Sequence, residues 1–246
     1  MSPLRSLVLV PAHQTAQVDS VLTWGADGVV LDLDTLVHPQ RREEARRQVA
    51  RRLHNPPAAT ALWVRLPAEA SAEDWQALQG KGLEGVILGC VEEVSQVATG
   101  ADRLQVLERE HGLPPHAVSL FLSLDTGKGL WHLPDLVRAS ARVRGVVLGL
   151  GDCAYDLTDA EEPVPFYRLP FPRYAAPLFV YSRTVYLACA LGIQGFVCLG
   201  TSMAPTAPDK GLLEAGARRA AALGFTGALT LHPEGVMACH TAFPPR

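Results

Sequence analysis

The chain has 246 residues, of which 48% are hydrophobic and 19% charged, and a formal charge of −3 at neutral pH. That balance supports a packed core, excludes a disordered chain, and, with Lys and Arg spread along the sequence, excludes a basic surface for nucleic acid or an anionic membrane. The length suits a single domain over residues 1–246 built from eight strand–helix units, so small molecules are the predicted ligands.

In chain order, Met1 to Ala12 carries one positive charge and an apolar run that stops at Pro11, too short for a secretory signal or a membrane span. A cytoplasmic protein is predicted. Short apolar runs then recur at Ser6–Val10, Gly28–Asp32, Leu62–Leu66, Gly85–Leu88, Val118–Ser123, Gly145–Leu148, Gly195–Cys198 and Ala228–Leu231. Several are continuously apolar, as strands covered on both faces are. Between them, Arg41–Leu53 is amphipathic, Ala72–Leu78 carries Glu73 and Asp74 in its first turn, and Lys210–Leu223 ends at Gly224. Eight strands separated by helices predict an α/β fold closed into a (β/α)8 TIM barrel. The Pro-rich segment Glu161–Pro177 and the stretch Gly200–Pro208 break the rhythm and are predicted as loops after barrel strands. Cys90, Cys153, Cys189, Cys198 and Cys239 are odd in number and contain no CxxC pair, so they read as small buried hydrophobes.

Barrel chemistry sits at the C-terminal ends of the strands. The polar residues expected there are Asp32, Asp34, Arg65, Glu92, Asp125, Asp152, Asp209 and His232. Asp125 in Leu-Asp-Thr-Gly-Lys-Gly and Asp152 in Gly-Leu-Gly-Asp follow neighbouring strands, about 4.8 Å apart, a separation that suits one shared ion. Two hard oxygen ligands with room for water describe an open Mg²⁺ site, with Mn²⁺ as a substitute; alternatively both residues cap the turns that follow. Arg65 interrupts an apolar strand, so it either holds a substrate carboxylate or an enolate oxygen or pairs internally with Asp32 or Asp34. Arg5 reads equally as a solvated charge, and the histidines have no metal-ligand spacing.

These motifs, in this order, resemble the HpcH/HpaI aldolase and citrate lyase β-subunit family. The resemblance runs from Leu4 to Val236 through Leu-Arg-Ser-Leu-Val-Leu-Val-Pro-Ala (4–12), Gly-Val-Val-Leu-Asp-Leu-Asp (28–34), Arg42, Ala45-Arg46, Val-Arg-Leu (64–66), Leu-Asp-Thr-Gly-Lys-Gly (124–129) and Gly-Leu-Gly-Asp (149–152). Tyr181-Ser182-Arg183, Asp209-x-Gly211-Leu212, Leu223-Gly224-Phe225 and Leu231-His232-Pro233 complete it. It implies a magnesium-dependent carbon–carbon lyase that cleaves a 3-hydroxyacyl-CoA such as citryl-CoA or malyl-CoA, or a 4-hydroxy-2-oxo acid, through a metal-stabilised enolate. It also implies a homotrimer or other homo-oligomer, metal ligands Asp125 and Asp152, catalytic residues Arg65 and Asp34, and substrate contacts from Arg5, Arg65, Gly149 and Leu150. The chain departs from the family pattern where Asp125 and Asp34 replace Glu, Thr35 replaces Asp, and Gly89-Cys90 replaces Pro-Lys. The segment His13–Gln17 also lacks the basic residues that often contact CoA phosphates in the family, and only Met237 to Arg246 follow the Leu-His-Pro-Glu-Gly-Val turn, so a barrel without the family's C-terminal lid is expected. The alternative reading is a catalytically impaired paralogue that binds a small carboxylate or a protein partner.

Overall fold

In the computed structural model, residues 4–58, 60–149, 175–199 and 210–244 are described. Eight parallel strands close into a barrel in sequential order: β1 (Ser6–Pro11), β2 (Gly28–Asp32), β3 (Ala61–Pro67), β4 (Leu83–Gly89), β5 (Ser119–Leu124), β6 (Val143–Leu148), β7 (Gln194–Leu199) and β8 (Gly227–Thr230). Among the described residues the outer helices are α1 (Thr15–Val21), α2 (Arg42–His54), α3 (Ala72–Gln76), α4 (Val94–His111), α5 (Gly127–Arg138), α6 (Ala175–Leu191), α7 (Lys210–Leu223) and α8 (Pro233–Ala242).

One layer of side chains inside the barrel sets the orientation of everything above it. Leu7, Trp63, Phe121 and Phe196, on alternate strands, are all fully buried, and each pairs in register with a glycine of the next strand: Gly28, Gly85, Gly145 and Gly227. A Cβ on Gly85 would lie 2.2 Å from the Trp63 ring, and one on Gly145 would lie 2.6 Å from Phe121. Large residues on odd strands therefore fill the space that even strands leave empty, the four-per-layer packing of this architecture. The rings interlock edge to face, with centroids 4.8 Å apart for Trp63 and Phe121 and 5.6 Å for Phe121 and Phe196.

Side chains two and four residues further along a strand share its face. Counting up from this layer turns Asp32, Arg65, Gly89, Asp125, Gly149 and Cys198 toward the barrel interior or its C-terminal mouth.

Two differences from the sequence reading have local causes. Leu231-His232-Pro233 is a helix start rather than a closing turn: His232 is the N-cap of α8 and Pro233 its first residue, where a missing N–H costs nothing. Helix α6 begins at Ala175, inside the stretch predicted as a loop; its polar residues Ser182, Arg183 and Thr184 are consecutive in an otherwise largely apolar sequence, so it lacks the periodic polar face by which the other helices were recognised.

Candidate functional site

The C-terminal mouth gathers three aspartates around one arginine. Asp32, the last residue of β2, pairs in register with Arg65 on β3. Arg65 is only 3% exposed, and its guanidinium lies 3.3 Å from Asp34 Oδ2 and 3.7 Å from Asp125 Oδ2, while also donating to the Thr35 hydroxyl. Burial works against its charge, but Asp32, Asp125 and Asp34 outweigh it and hold its pKa above the ordinary arginine value. Thus the internal pairing with Asp34 anticipated from sequence is formed, and Asp125 joins it.

Asp32 is buried and accepts hydrogen bonds from the Asp34 and Leu36 amides, closing the turn after β2. Burial pushes its pKa up to about 6, although Arg65 and the Leu36 amide pull the other way. Among the described residues, three carboxylates thus face a single guanidinium at this mouth.

Asp125 follows β5 and is 2% exposed. Its Oδ2 accepts the Cys90 amide at 2.8 Å, whereas its Oδ1 is buried without a hydrogen-bond partner among the described residues. That oxygen faces Gly149 at the end of β6, where a Cβ would lie 1.8 Å away. Gly149 is itself held by donating its N–H to the Leu124 carbonyl at 3.0 Å. A buried, unpaired carboxylate oxygen costs free energy unless something positive meets it, so the donor set fits a hard divalent cation. Asp152, the second expected ligand, and Leu150 lie outside the described residues, as does Asp209. No group of three or more His, Cys, Asp or Glu positioned for a metal occurs among the described residues.

The loops after β4 and β2 each contribute a feature that sequence reasoning missed. Cys90 adopts a left-handed backbone, φ 52°, which aims its N–H at Asp125. Its thiol is pushed up to about 12 by burial and by Asp125, so it stays protonated. Thr35, noted in the sequence only as a lost acid, is a hydrogen-bond partner of Arg65. Neither role has a sequence signal, since each depends on a contact between separate loops. Glu92 points elsewhere: it accepts from the Thr126 hydroxyl at 2.7 Å and lies 3.6 Å from Lys128 Nζ, tying its loop to the start of α5.

Arg5 does not join the cluster. It precedes β1, at the N-terminal end of the barrel, where its amide donates to Asp27 at 2.8 Å and its guanidinium lies 3.7 Å from the same carboxylate. The length of the strand, about 3.3 Å per residue, separates it from the mouth that holds Arg65. A substrate contact at that mouth is beyond its reach.

Comparison with known proteins identifies the family. Residues 5–233 match the model of the HpcH/HpaI aldolase/citrate lyase family. The citrate lyase subunit beta of Escherichia coli K12 is 24% identical over 245 residues, covering 98% of this chain and 77% of the relative. A citrate lyase subunit beta-like protein of Deinococcus radiodurans is 25% identical, covering 98% of this chain and 80% of the relative. Among solved structures, the citrate lyase beta subunit of Mycobacterium tuberculosis complexed with oxaloacetate and magnesium superimposes with a TM-score of 0.76 at 22% identity, covering 99% of this chain and 97% of that one. With a closed eight-stranded barrel and a match over nearly its whole length, the chain belongs to the HpcH/HpaI aldolase/citrate lyase family.

Proposed function

We propose that the chain is a magnesium-dependent carbon–carbon lyase acting on a small carboxylate substrate, either a 3-hydroxyacyl-CoA of the citryl or malyl type or a 4-hydroxy-2-oxo acid. The observation that carries this reading is the buried Asp125 Oδ1, which has no hydrogen-bond partner among the described residues and faces Gly149 in a mouth where three aspartates surround one arginine. Relatives named as malyl-CoA lyases and a fold neighbour complexed with oxaloacetate and magnesium support it.

Asp125 and Asp152 would hold the cation, with Mn²⁺ as an alternative, and the backbone at Gly149 and Leu150 would line the space beside it. Bound there, the ion supplies Lewis-acid polarisation of a substrate oxygen. Arg65 does the remaining electrostatic work. Its planar fork is fixed by Asp34, Thr35 and Asp125 before substrate arrives, so stabilising the negative oxygen that develops when the carbon–carbon bond breaks costs little reorganisation. Asp34 serves as the positioning partner of that fork. The close approach of Gly89, where a Cβ would lie 2.5 Å from Asp34 Oδ2 and 3.1 Å from an Arg65 nitrogen, keeps the pair packed against β4.

The reading extends to a homotrimer or other homo-oligomer. Phe179 and Tyr186 on α6 are 63% and 73% exposed, and Trp131 on α5 is 71% exposed beside Arg183, whose guanidinium lies 5.6 Å from its ring centre. Aromatic groups clustered on two adjoining helices are the surface a second copy would cover.

Titration calorimetry with Mg²⁺, paired with turnover assays on malyl-CoA, citryl-CoA and 4-hydroxy-2-oxo acids, tests the proposal. Magnesium binding by the wild type that is lost in Asp125→Ala and Asp152→Ala, with cleavage of one substrate class, is the expected result. Equal binding by wild type and variants would overturn it. Light scattering on the wild type and on Tyr186→Glu tests the oligomer, and a monomeric wild type would refute that part.

A further inference from the structure

A second cavity lies at the opposite end of the barrel from the aspartate cluster. Its volume is about 790 Å³, within the roughly 300–1,000 Å³ of small-molecule sites. It opens among strand beginnings: Ser119 and Gln194 are the first residues of β5 and β7, Arg144 is the second residue of β6, and Arg5 precedes β1. The floor is Phe121, from the interior aromatic layer, and one wall is Val185 and Ile193, from the end of α6 and the turn beyond it.

The lining of this cavity is basic. Arg5, Arg144 and His116 line it, and among the described lining residues there is no Asp or Glu. Arg144 is the exposed residue of an otherwise buried strand, and it forms no salt bridge to a described residue. Arg5 has Asp27 nearby, but Asp27 Oδ2 is occupied by the amides of Arg5 and Ser6 at 2.8 and 3.0 Å, and the guanidinium stands 3.7 Å from Oδ1. That distance is outside hydrogen-bonding range, so the donor fork of Arg5 is not consumed by its neighbour. His116 is held in a left-handed conformation, φ 63°, by its amide bonding to Glu108, whose carboxylate is committed to Arg142.

We propose that the N-terminal mouth of the barrel is a second ligand site that takes a small phosphate monoester with an apolar body. Two guanidinium forks and an imidazole lining one cavity, with Asp27 beside Arg5 only, suit a dianionic phosphoryl group better than a single carboxylate. The wall of Phe121, Val185 and Ile193 would cover the apolar part of the ligand. The proposal does not depend on the chemistry at the other mouth.

Cys189 also lines the cavity and is an exposed free thiol, which gives a local reporter. Phenyl phosphate is the probe, and modification of Cys189 by N-ethylmaleimide is followed by peptide mass spectrometry. Millimolar phenyl phosphate should slow modification several-fold, whereas phenol should not. Loss of one charge-assisted contact is worth about tenfold or more in affinity, so Arg144→Ala should raise the protecting concentration at least that far, with Arg144→Lys intermediate. Protection unchanged in Asp125→Ala would locate the ligand away from the acidic mouth. Either no protection of the wild type, or equal protection of Arg144→Ala and wild type, would overturn the proposal.

Discussion

Substituting Gly149 by Ala tests the link between Asp125 and the end of β6 directly. The new Cβ would lie 1.8 Å from Asp125 Oδ1 and 2.7 Å from its carboxyl carbon, whereas carbon contacts normally settle near 3.5 Å or beyond, so the carboxylate must swing by more than about 1 Å. Swinging it breaks the 2.8 Å hydrogen bond from the Cys90 amide, a charge-assisted bond worth about 1.5–3 kcal/mol. A total cost of about 2–3 kcal/mol is expected, which for a chain of this length lowers Tm by roughly 4–12 °C. The same displacement removes Asp125 Oδ1 from the place where a cation would meet it, so magnesium affinity should fall by at least about tenfold. The decisive assay is a double-mutant cycle with Asp125→Ala, read by urea unfolding. With the carboxylate gone the closest remaining contact is the Leu124 carbonyl oxygen at 3.0 Å, so Gly149→Ala should then cost less, about 1 kcal/mol, a coupling of about 1–2 kcal/mol between the two sites. Equal costs in both backgrounds would refute the reasoning, because the alanine would then be destabilising for some reason other than Asp125.

Three further outcomes are expected. Arg65→Lys should reduce turnover by about a hundredfold with a much smaller loss of stability, since a point charge cannot replace a fork fixed by Asp34, Thr35 and Asp125; activity retained alongside a collapsed Tm would make Arg65 structural. Arg142→Met should cost about 3–5 kcal/mol, because it leaves Glu108 buried without the guanidinium that meets both of its oxygens, and a urea midpoint equal to wild type would contradict it. For Asp32 the folded pKa is raised, from 3.8 to about 6, so the folded state binds the extra proton between those values and Asp32 weakens the fold progressively as pH rises through that window. The stability of wild type minus that of Asp32→Asn should therefore fall between about pH 4 and pH 6 and level off above it; a difference that stays flat or rises would rule out the raised pKa.

Much of the fold was legible because it rests on local regularities. Gly-Val-Val-Leu at 28–31 and at 145–148 marks strands covered on both faces, and recurrence of such runs with helices between them points to a barrel. Each of the eight predicted strands overlaps an observed one. Arg65, Asp34 and Asp125 were likewise identifiable as residues at strand ends, where chain order alone assigns them to one mouth, whereas Gly149 came only from the family resemblance.

What the sequence by itself determined was thus the alternation of elements and the list of polar residues near strand ends, both properties of short windows. Tertiary structure alone decided which of those residues meet. Trp63, Phe121 and Phe196 facing glycines on the next strands set the inward parity of each strand, and that parity carries Arg65 and Asp125 into one pocket. It also decided that Arg5, an arginine like Arg65 and close to a strand like it, belongs to the opposite mouth beside Arg144, because a strand start and a strand end are separated by the length of the barrel. The partnership of the Cys90 amide with Asp125, and the unpaired oxygen it leaves facing Gly149, arise where two loops and a strand end converge, and contacts between distant segments leave no periodic trace in the chain that forms them.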